Sequence, residues 1–155
     1  NGDPNKKMNP PLRSKEDVEA VKEALRNGTI DVIATDHAPH SKEEKSKPIE
    51  KALNGIVGLE TSFALSYTYL VKTGILTPLE LINKMSTKGA EILDINRGTL
   101  KVGSVADIAL FDVTNEYEIK EEDFKSKSHN SPFIGMNVYG RTVQTFVAGV
   151  CKYRI

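Results

Sequence analysis

The chain has 155 residues, with 21 basic and 21 acidic side chains, which suffices for one ordinary domain or for parts of two. Because the charges balance, there is no reason to expect nucleic acid or an anionic membrane as a partner. No apolar run has the length of a membrane span. The single Cys151 has no second cysteine for an internal disulfide, which is typical of a reducing compartment and indicates the cytoplasm.

The first predicted element is a helix that begins after Ser14. Ser14 and Asp17 have the spacing of a capping box, and the residues that follow have an apolar stripe typical of a helix. The stripe consists of Val18, Val21 and Leu25. Gly28 then predicts the end of this helix.

A strand, a loop and three further helices follow in order. The apolar run at residues 31–35 predicts a buried strand, and residues 41–51, rich in Lys and Glu, predict a solvated and mobile loop. The inner face of the next helix is predicted to carry Leu59, Phe63, Tyr67 and Leu70. Residues 77–80 (TPLE) combine a cap, a first-turn proline and a returning acid, which predicts another helix start. A last short helix is predicted over residues 88–93.

Short strands dominate the end of the chain. Residues 105–112 predict a strand and residues 117–119 a shorter one. Residues 142–153 predict a terminal hairpin that turns at Ala148 and Gly149.

This change of pattern divides the chain into two parts. Residues 1–97 contain helices and one confident strand, and residues 98–155 are β-rich. One strand is too few for a closed parallel sheet, and the chain begins without Met in a Pro- and Asn-rich stretch typical of a connection. We therefore expect the C-terminal piece of a longer protein.

Residues 35–40 (TDHAPH) place an acid and two of the chain's three histidines directly after the predicted strand. A buried carboxylate there is costly unless stabilised, often by a divalent metal, so Asp36 is a candidate metal ligand and proton carrier. Capping of the following turn explains Asp36 equally well. Pro39 disfavours a helical two-histidine metal site, so we interpret His40 as a donor to an anionic substrate group and His37 as structurally hydrogen-bonded. For an isolated loop histidine, a surface position without a role is the simpler interpretation.

Two other loops have features of ligand-binding segments. Asn9 and Arg13 flank a rigid Pro-Pro pair and suit recognition of a carboxylate, although an ordinary Pro-rich connection explains them equally well. Gly55 and Gly58 permit close approach of the backbone to a ligand, and tight packing is the simpler interpretation.

Taken together, these motifs resemble the bacterial type I dihydroorotases of the amidohydrolase superfamily. The resemblance depends on an ordered set of segments that spans nearly the whole chain. The segments are residues 7–13 (KMNPPLR), 28–40 (GTIDVIATDHAPH), 44–45 (EK), 55–61 (GIVGLET) and 103–107 (GSVAD).

The resemblance implies an α/β fold, namely the C-terminal part of a (β/α)8 TIM-type barrel plus the C-terminal strands of a small β-sandwich. It implies a zinc-dependent hydrolase that reversibly closes N-carbamoyl-L-aspartate to L-dihydroorotate in pyrimidine biosynthesis. Asp36 matches a zinc ligand that is also the general acid/base. Asn9 and His40 match residues that bind the substrate carboxylate, and Gly55 matches a backbone contact to substrate. Asn54 stands where relatives often carry Phe or Pro, so any side-chain role there is open.

The other zinc ligands of that family come from earlier strands, so we expect this chain to be inactive alone. Alternatives are a related cyclic amidohydrolase (a hydantoinase or allantoinase), a non-catalytic dihydroorotase-like subunit that scaffolds aspartate transcarbamoylase, and a stand-alone binding module. The expected ligand is a small-molecule substrate. A homodimer, or a complex with aspartate transcarbamoylase, is the expected assembly.

Overall fold

The computed structural model describes residues 2–155, which form five α-helices and one three-stranded sheet. The helices are α1 (Lys15–Arg26), α2 (Lys42–Lys45), α3 (Ser62–Ser66), α4 (Pro78–Ile82) and α5 (Lys88–Ile92). The strands are β1 (Ile108–Glu118), β2 (Asn137–Val147) and β3 (Val150–Arg154). Two π-helical turns extend α3 and join α4 to α5, at Tyr67–Val71 and Asn83–Thr87. Among these described residues, no helix is long and apolar enough to cross a membrane.

Helix α1 begins and ends where the sequence predicts. The Ser14 side chain accepts from the Asp17 N–H while Asp17 accepts from the Ser14 N–H, which is a complete capping box. The predicted inner face is wrong for two of its residues, since Val18 is 46% exposed and Val21 is 50% exposed. Only Leu25 of the stripe enters the core, because no other part of the described chain covers the rest of that face.

The predicted strand at residues 31–35 is extended but belongs to no sheet in the described part of the chain. A strand needs a neighbour to receive its backbone hydrogen bonds, and here the only pairing nearby is an isolated parallel bridge between His37 and Ile56. The segment is held instead by single contacts, such as the bond from the Ile33 N–H to the Lys84 carbonyl at 3.0 Å. Residues 31–35 are half-buried or exposed, so the prediction of a buried strand is wrong for the described chain.

The end of α1, helices α3 and α4 and the two π-helical turns build the first core. Its buried members are Leu25, Leu70, Leu76 and Leu81, with Phe63 and Tyr67 packed against them. The predicted inner face of α3 is thus confirmed except for Leu59, which precedes the helix and is 64% exposed. The capping box of Thr77 and Glu80 is present, with Pro78 in the first turn. The predicted helix at 88–93 is confirmed as α5, which continues directly from the preceding π-helical turn.

The β-rich end forms an antiparallel sheet in the order β1-β2-β3. The two strands predicted at 105–112 and 117–119 are one strand, interrupted by an irregularity between Asp112 and Glu116. The predicted hairpin is confirmed. Its turn residues Ala148 and Gly149 have φ values of 48° and 80°, as a tight turn between twisted strands requires.

The sheet packs directly on α3, so the helical and β-rich parts share contacts. The rings of Phe63 and Phe111 stack with centroids 3.6 Å apart. Gly140 in β2 leaves room for this contact, since a Cβ there would lie 3.0 Å from the Phe63 ring. A second core joins the two parts and contains Val57, Ala64, Ile119, Phe124 and Val138. The chain is therefore an α/β structure with a small antiparallel sheet.

Candidate functional site

The candidate site is built on two segments that lie side by side, residues 36–40 and 55–58. The Ala38 N–H donates to the Ile56 carbonyl at 2.9 Å, which aligns the segments in parallel. The Nδ1 atom of His37 accepts from the Gly58 N–H at 3.0 Å. His37 is thus occupied by structural hydrogen bonds, as the sequence predicts.

Asp36 stands at the start of the first segment and is exposed. Its φ of 40° lies in the left-handed region, which Asp tolerates better than most residues. The premise that burial makes this carboxylate costly is therefore wrong for the described residues. An exposed carboxylate remains accessible to a metal ion or to a substrate.

His40 ends the first segment and contacts the loop that carries Asn54. Its Nε2 atom lies 2.8 Å from the Asn54 carbonyl oxygen, and its Nδ1 atom lies 3.9 Å from a carboxylate oxygen of Glu44. Hydrogen bonds from the Ser41 backbone and hydroxyl, with a smaller contribution from His40, lower the pKa of Glu44. A proton on Nε2 of His40 satisfies the carbonyl and leaves Nδ1 on the side of the acid.

Gly55 is the point at which these segments approach most closely. Its φ is 121°, and a Cβ there would lie 2.5 Å from Ala38 Cβ and 3.1 Å from His40 Nε2. Only glycine fits this backbone and this gap. The tight packing expected at Gly55 is therefore confirmed. Its N–H donates to the Lys7 carbonyl at 3.0 Å, which ties the loop to the segment that carries Asn9.

Lys45 is a buried cation beneath this loop. Lys45 is only 5% exposed. Its ammonium donates to the carbonyls of Leu53 and Gly55 at 3.0 Å each and to the carbonyl of Lys7 at 3.4 Å. Burial lowers the pKa of Lys45 and the nearby Lys7 lowers it further, whereas Asp3 opposes them. The prediction that residues 41–51 form only a solvated loop is wrong here, because α2 forms and Lys45 turns inward.

Asn130 approaches the same loop from the β-rich part of the chain. It is 5% exposed, and its side-chain oxygen accepts from the His40 N–H at 3.1 Å. Its side-chain nitrogen donates to the carbonyls of Ala38 at 3.0 Å and Gly55 at 3.2 Å. One amide therefore fixes both segments of the candidate site.

The structure brings three of the five predicted site residues into contact, namely His40, Asn54 and Gly55. Asp36 is joined to them through its own segment, and the exposed Asn9 lies two residues beyond Lys7. Sequence reasoning assigned no role to Asn130, and none to Lys45 although residues 44–45 are one of the family segments. The capping-box spacing of Ser41 and Glu44 was the available signal for the helix that carries Lys45, whereas nothing in the polar loop around Asn130 distinguishes it.

A family model described as the amidohydrolase family matches residues 6–151. The chain belongs to this family. As an amidohydrolase it is 52% identical over 147 residues to a dihydroorotase of Staphylococcus aureus, covering 95% of the chain and 35% of the relative. A dihydroorotase of Macrococcus caseolyticus is 53% identical over 149 residues, with 96% and 35% covered. The chain thus spans about a third of the length of the curated relatives it matches.

Solved structures of other amidohydrolases have the same fold over this region. An L-hydantoinase from Arthrobacter aurescens superimposes with a TM-score of 0.89 at 37% identity, covering 96% of this chain and 34% of that one. A D-hydantoinase from Thermus sp. superimposes with a TM-score of 0.88 at 31% identity, covering 97% and 34%. These structures support the α/β arrangement described above.

Amidohydrolases are generally metal-dependent. Among residues 2–155, no group of three or more His, Cys, Asp or Glu side chains is arranged to hold a metal ion. A zinc site needs three or four ligands, and the exposed Asp36 could supply one. The described residues therefore fit one ligand of a metal site and not a complete one.

Proposed function

We propose that this chain is part of a dihydroorotase, which reversibly cyclises N-carbamoyl-L-aspartate to L-dihydroorotate in pyrimidine biosynthesis. The observation that carries the proposal is the identity of 49–53% to bacterial dihydroorotases over nearly the whole chain, against 31–37% for the two hydantoinases compared. The ordered motifs of residues 7–13, 28–40 and 55–61 point the same way. The whole enzyme is then a cyclic amide hydrolase.

Asp36 is the proposed proton carrier. In the hydrolytic direction its carboxylate takes a proton from the attacking water and returns it to the ring nitrogen, which leaves as the amide C–N bond breaks. The exposure of Asp36 supports this role, because a carboxylate enclosed by the core could not reach either atom. Zinc is the proposed metal, with Asp36 as one ligand; when bound, it supplies Lewis acidity at the carbonyl. The remaining ligands must come from other segments.

Substrate binding is assigned to the loops around Asp36. We assign recognition of the substrate carboxylate to Asn9 and His40, and a backbone contact to Asn54 and Gly55. The hydrogen bond between His40 and the Asn54 carbonyl supports a shared role for these residues. The N–H and carbonyl of Gly55 and the carbonyl of Asn54 already have protein partners. The exposed side chain of Asn54 is therefore the better placed group to contact substrate.

The proposed architecture is the C-terminal part of a (β/α)8 barrel, residues 1–97, with the C-terminal strands of a β-sandwich, residues 98–155. The unpaired extended segment at residues 31–35 supports this, because it suits a barrel strand whose neighbours lie in other segments. The exposed Val18 and Val21 of α1 suit a helix that another segment covers. We accordingly propose that the chain is inactive alone, and that the complete enzyme acts in the cytoplasm.

Two other functions are distinguishable. A hydantoinase or allantoinase has the same fold. The two hydantoinase structures are less identical to this chain than the dihydroorotases are, so they favour this alternative less. A non-catalytic subunit that scaffolds aspartate transcarbamoylase would keep the fold without turnover. For assembly, a homodimer and a complex with that enzyme are both proposed.

The deciding experiment is a substrate panel with the complete enzyme. Dihydroorotate, hydantoin, dihydrouracil and allantoin are compared at equal enzyme concentration, and ring opening is followed by ultraviolet absorbance. We expect dihydroorotate to give the highest kcat/KM. A higher kcat/KM for another ring overturns the substrate assignment. If the zinc-loaded enzyme turns over none of the four compounds, the result favours the non-catalytic subunit that binds aspartate transcarbamoylase.

A further inference from the structure

We infer that Lys45 and Asn130 are positioning residues that hold the loop of residues 53–55 in its substrate-binding conformation. The inference depends on the proposed function, since that function makes the loop part of the site. Neither residue is assigned a direct contact with substrate. Each acts through the backbone that carries Asn54 and Gly55.

The Gly55 carbonyl is the centre of this arrangement. The Lys45 ammonium donates to it at 3.0 Å and the Asn130 amide at 3.2 Å. Both donors are in residues 5% exposed, so water does not replace either of them if it is lost. A carbonyl with two lone pairs is thereby fully satisfied by two side chains from distant parts of the sequence.

The two donors fix the loop from different directions. Lys45 also binds the carbonyls of Leu53 and Lys7, so one cation collects carbonyls from both loops of the site. The Asn130 side-chain oxygen also accepts from the His40 N–H. One amide therefore holds His40 next to the loop of residues 53–55. A buried cation without these carbonyls would be costly, so the Lys45 ammonium and the carbonyls stabilise one another.

Because Lys45 and Asn130 act on one carbonyl, their effects should be coupled. We expect Lys45→Met and Asn130→Ala in the complete enzyme each to raise KM for dihydroorotate about tenfold, as loss of supporting contacts around a site commonly does. The kcat should stay within about threefold and the zinc content should be unchanged, since neither residue is placed at the reacting atoms. The double variant should raise KM clearly less than the hundredfold product, as residues with a shared partner do.

Lys42→Met is the matched control, because Lys42 lies in the same short helix but is exposed. Its KM should equal that of the unaltered enzyme. Hydrogen–deuterium exchange of residues 53–58 gives a second measurement that needs no turnover. Lys45→Met should accelerate exchange there, since the Gly55 N–H is held by the Lys7 carbonyl, which Lys45 also binds.

An unchanged KM in Lys45→Met and in Asn130→Ala overturns the inference, and so does a KM effect that multiplies fully in the double variant. A fall in kcat with KM unchanged also overturns it. If Lys45→Met does not fold, Lys45→Gln, which keeps one donor, takes its place in the same comparison. If the unaltered enzyme does not turn over dihydroorotate, the proposed function fails, and the exchange of residues 53–58 alone decides whether these two residues hold the loop.

Discussion

The Nε2 atom of His40 lies 2.8 Å from the carbonyl oxygen of Asn54, so two residues assigned to substrate binding are hydrogen-bonded to each other. Glu44 stands on the other side of the ring, 3.9 Å from Nδ1. His40 is therefore a bridge between a helix and the loop as well as a candidate ligand contact. A substrate carboxylate would have to share the ring with these two acceptors.

His40→Ala should therefore weaken substrate binding on two counts, by removing a donor and by releasing the Asn54 loop. In the complete enzyme we expect KM for dihydroorotate to rise about tenfold or more, with bound zinc unchanged by elemental analysis. His129→Ala is the control, because His129 pairs with Glu121 outside this site. Loss of zinc from His40→Ala would instead make His40 a metal ligand.

Gly55→Ala should destabilise the protein more than a comparable glycine substitution elsewhere. The new Cβ would lie 2.5 Å from Ala38 Cβ, in a backbone with a φ of 121°. Gly28 also has a positive φ, of 83°, but nothing lies within 4 Å of the added atom. We expect Gly55→Ala to lower the free energy of unfolding by about 2 kcal/mol more than Gly28→Ala, which isolates the cost of the overlap.

Denaturant unfolding of the complete enzyme measures this difference, and KM measures its effect on the site. The loop should shift to relieve the contact, so KM should rise in Gly55→Ala and not in Gly28→Ala. Equal stability of the two variants would mean that the loop moves freely away from Ala38. That result would contradict the close fit described here.

Asp36→Ala should abolish turnover, with a loss of kcat of about a thousandfold or more, because it removes the proposed proton carrier. Asp36→Asn separates chemistry from backbone strain, since Asn tolerates the left-handed φ of 40° as Asp does. We expect Asp36→Asn to be as inactive as Asp36→Ala but to unfold at a higher denaturant concentration than Asp36→Ala, because both lose the carboxylate and only Ala strains the backbone. Asp31→Ala, at an exposed position earlier in the chain, should keep full activity. Appreciable turnover in Asp36→Asn would refute the assigned role.

The parts of the fold that depend on neighbouring residues could be predicted from the sequence, and those that depend on distant partners could not. The capping boxes at Ser14 and Thr77 and the turn at Ala148 are local, and all three are present. The apolar stripe of α1, which contains Val18, shows which residues are suited to burial. It does not show whether another segment covers them.

The same distinction explains what was missed at the site. Burial of Lys45 depends on three carbonyls that come from two separate loops, which no local pattern encodes. The contacts of Asn130 span 75 to 92 positions of the sequence. By contrast, Asp36 and His40 were predicted because their residue types and order match a family motif, which carries information about distant contacts that periodicity lacks.

The pH dependence of the free energy of unfolding should show the contribution of the Asp112 carboxylate, which lies at the irregularity in β1. Asp112 accepts from the N–H and hydroxyl of Thr114 at 2.8 and 2.7 Å and from the Asn115 amide at 2.8 Å. These bonds, that from Asn115 foremost, hold the pKa of Asp112 well below its ordinary value of 3.8. A lowered pKa in the folded state means that the unfolded chain binds the proton more readily, so the stabilisation is complete above the ordinary value and is lost as the pH falls towards the lower one.

Asp112→Asn removes this titration and keeps a side chain of the same shape. We expect the unaltered enzyme to be the more stable of the two at neutral pH, and the difference in the free energy of unfolding to shrink as the pH is lowered below about 4. Other acids with lowered pKa values, such as Glu44 and Glu80, titrate in both proteins and cancel in the comparison. Denaturant unfolding at a series of pH values gives the two curves. Parallel curves across that range would show that the Asp112 carboxylate contributes nothing to the stability of the β1 irregularity.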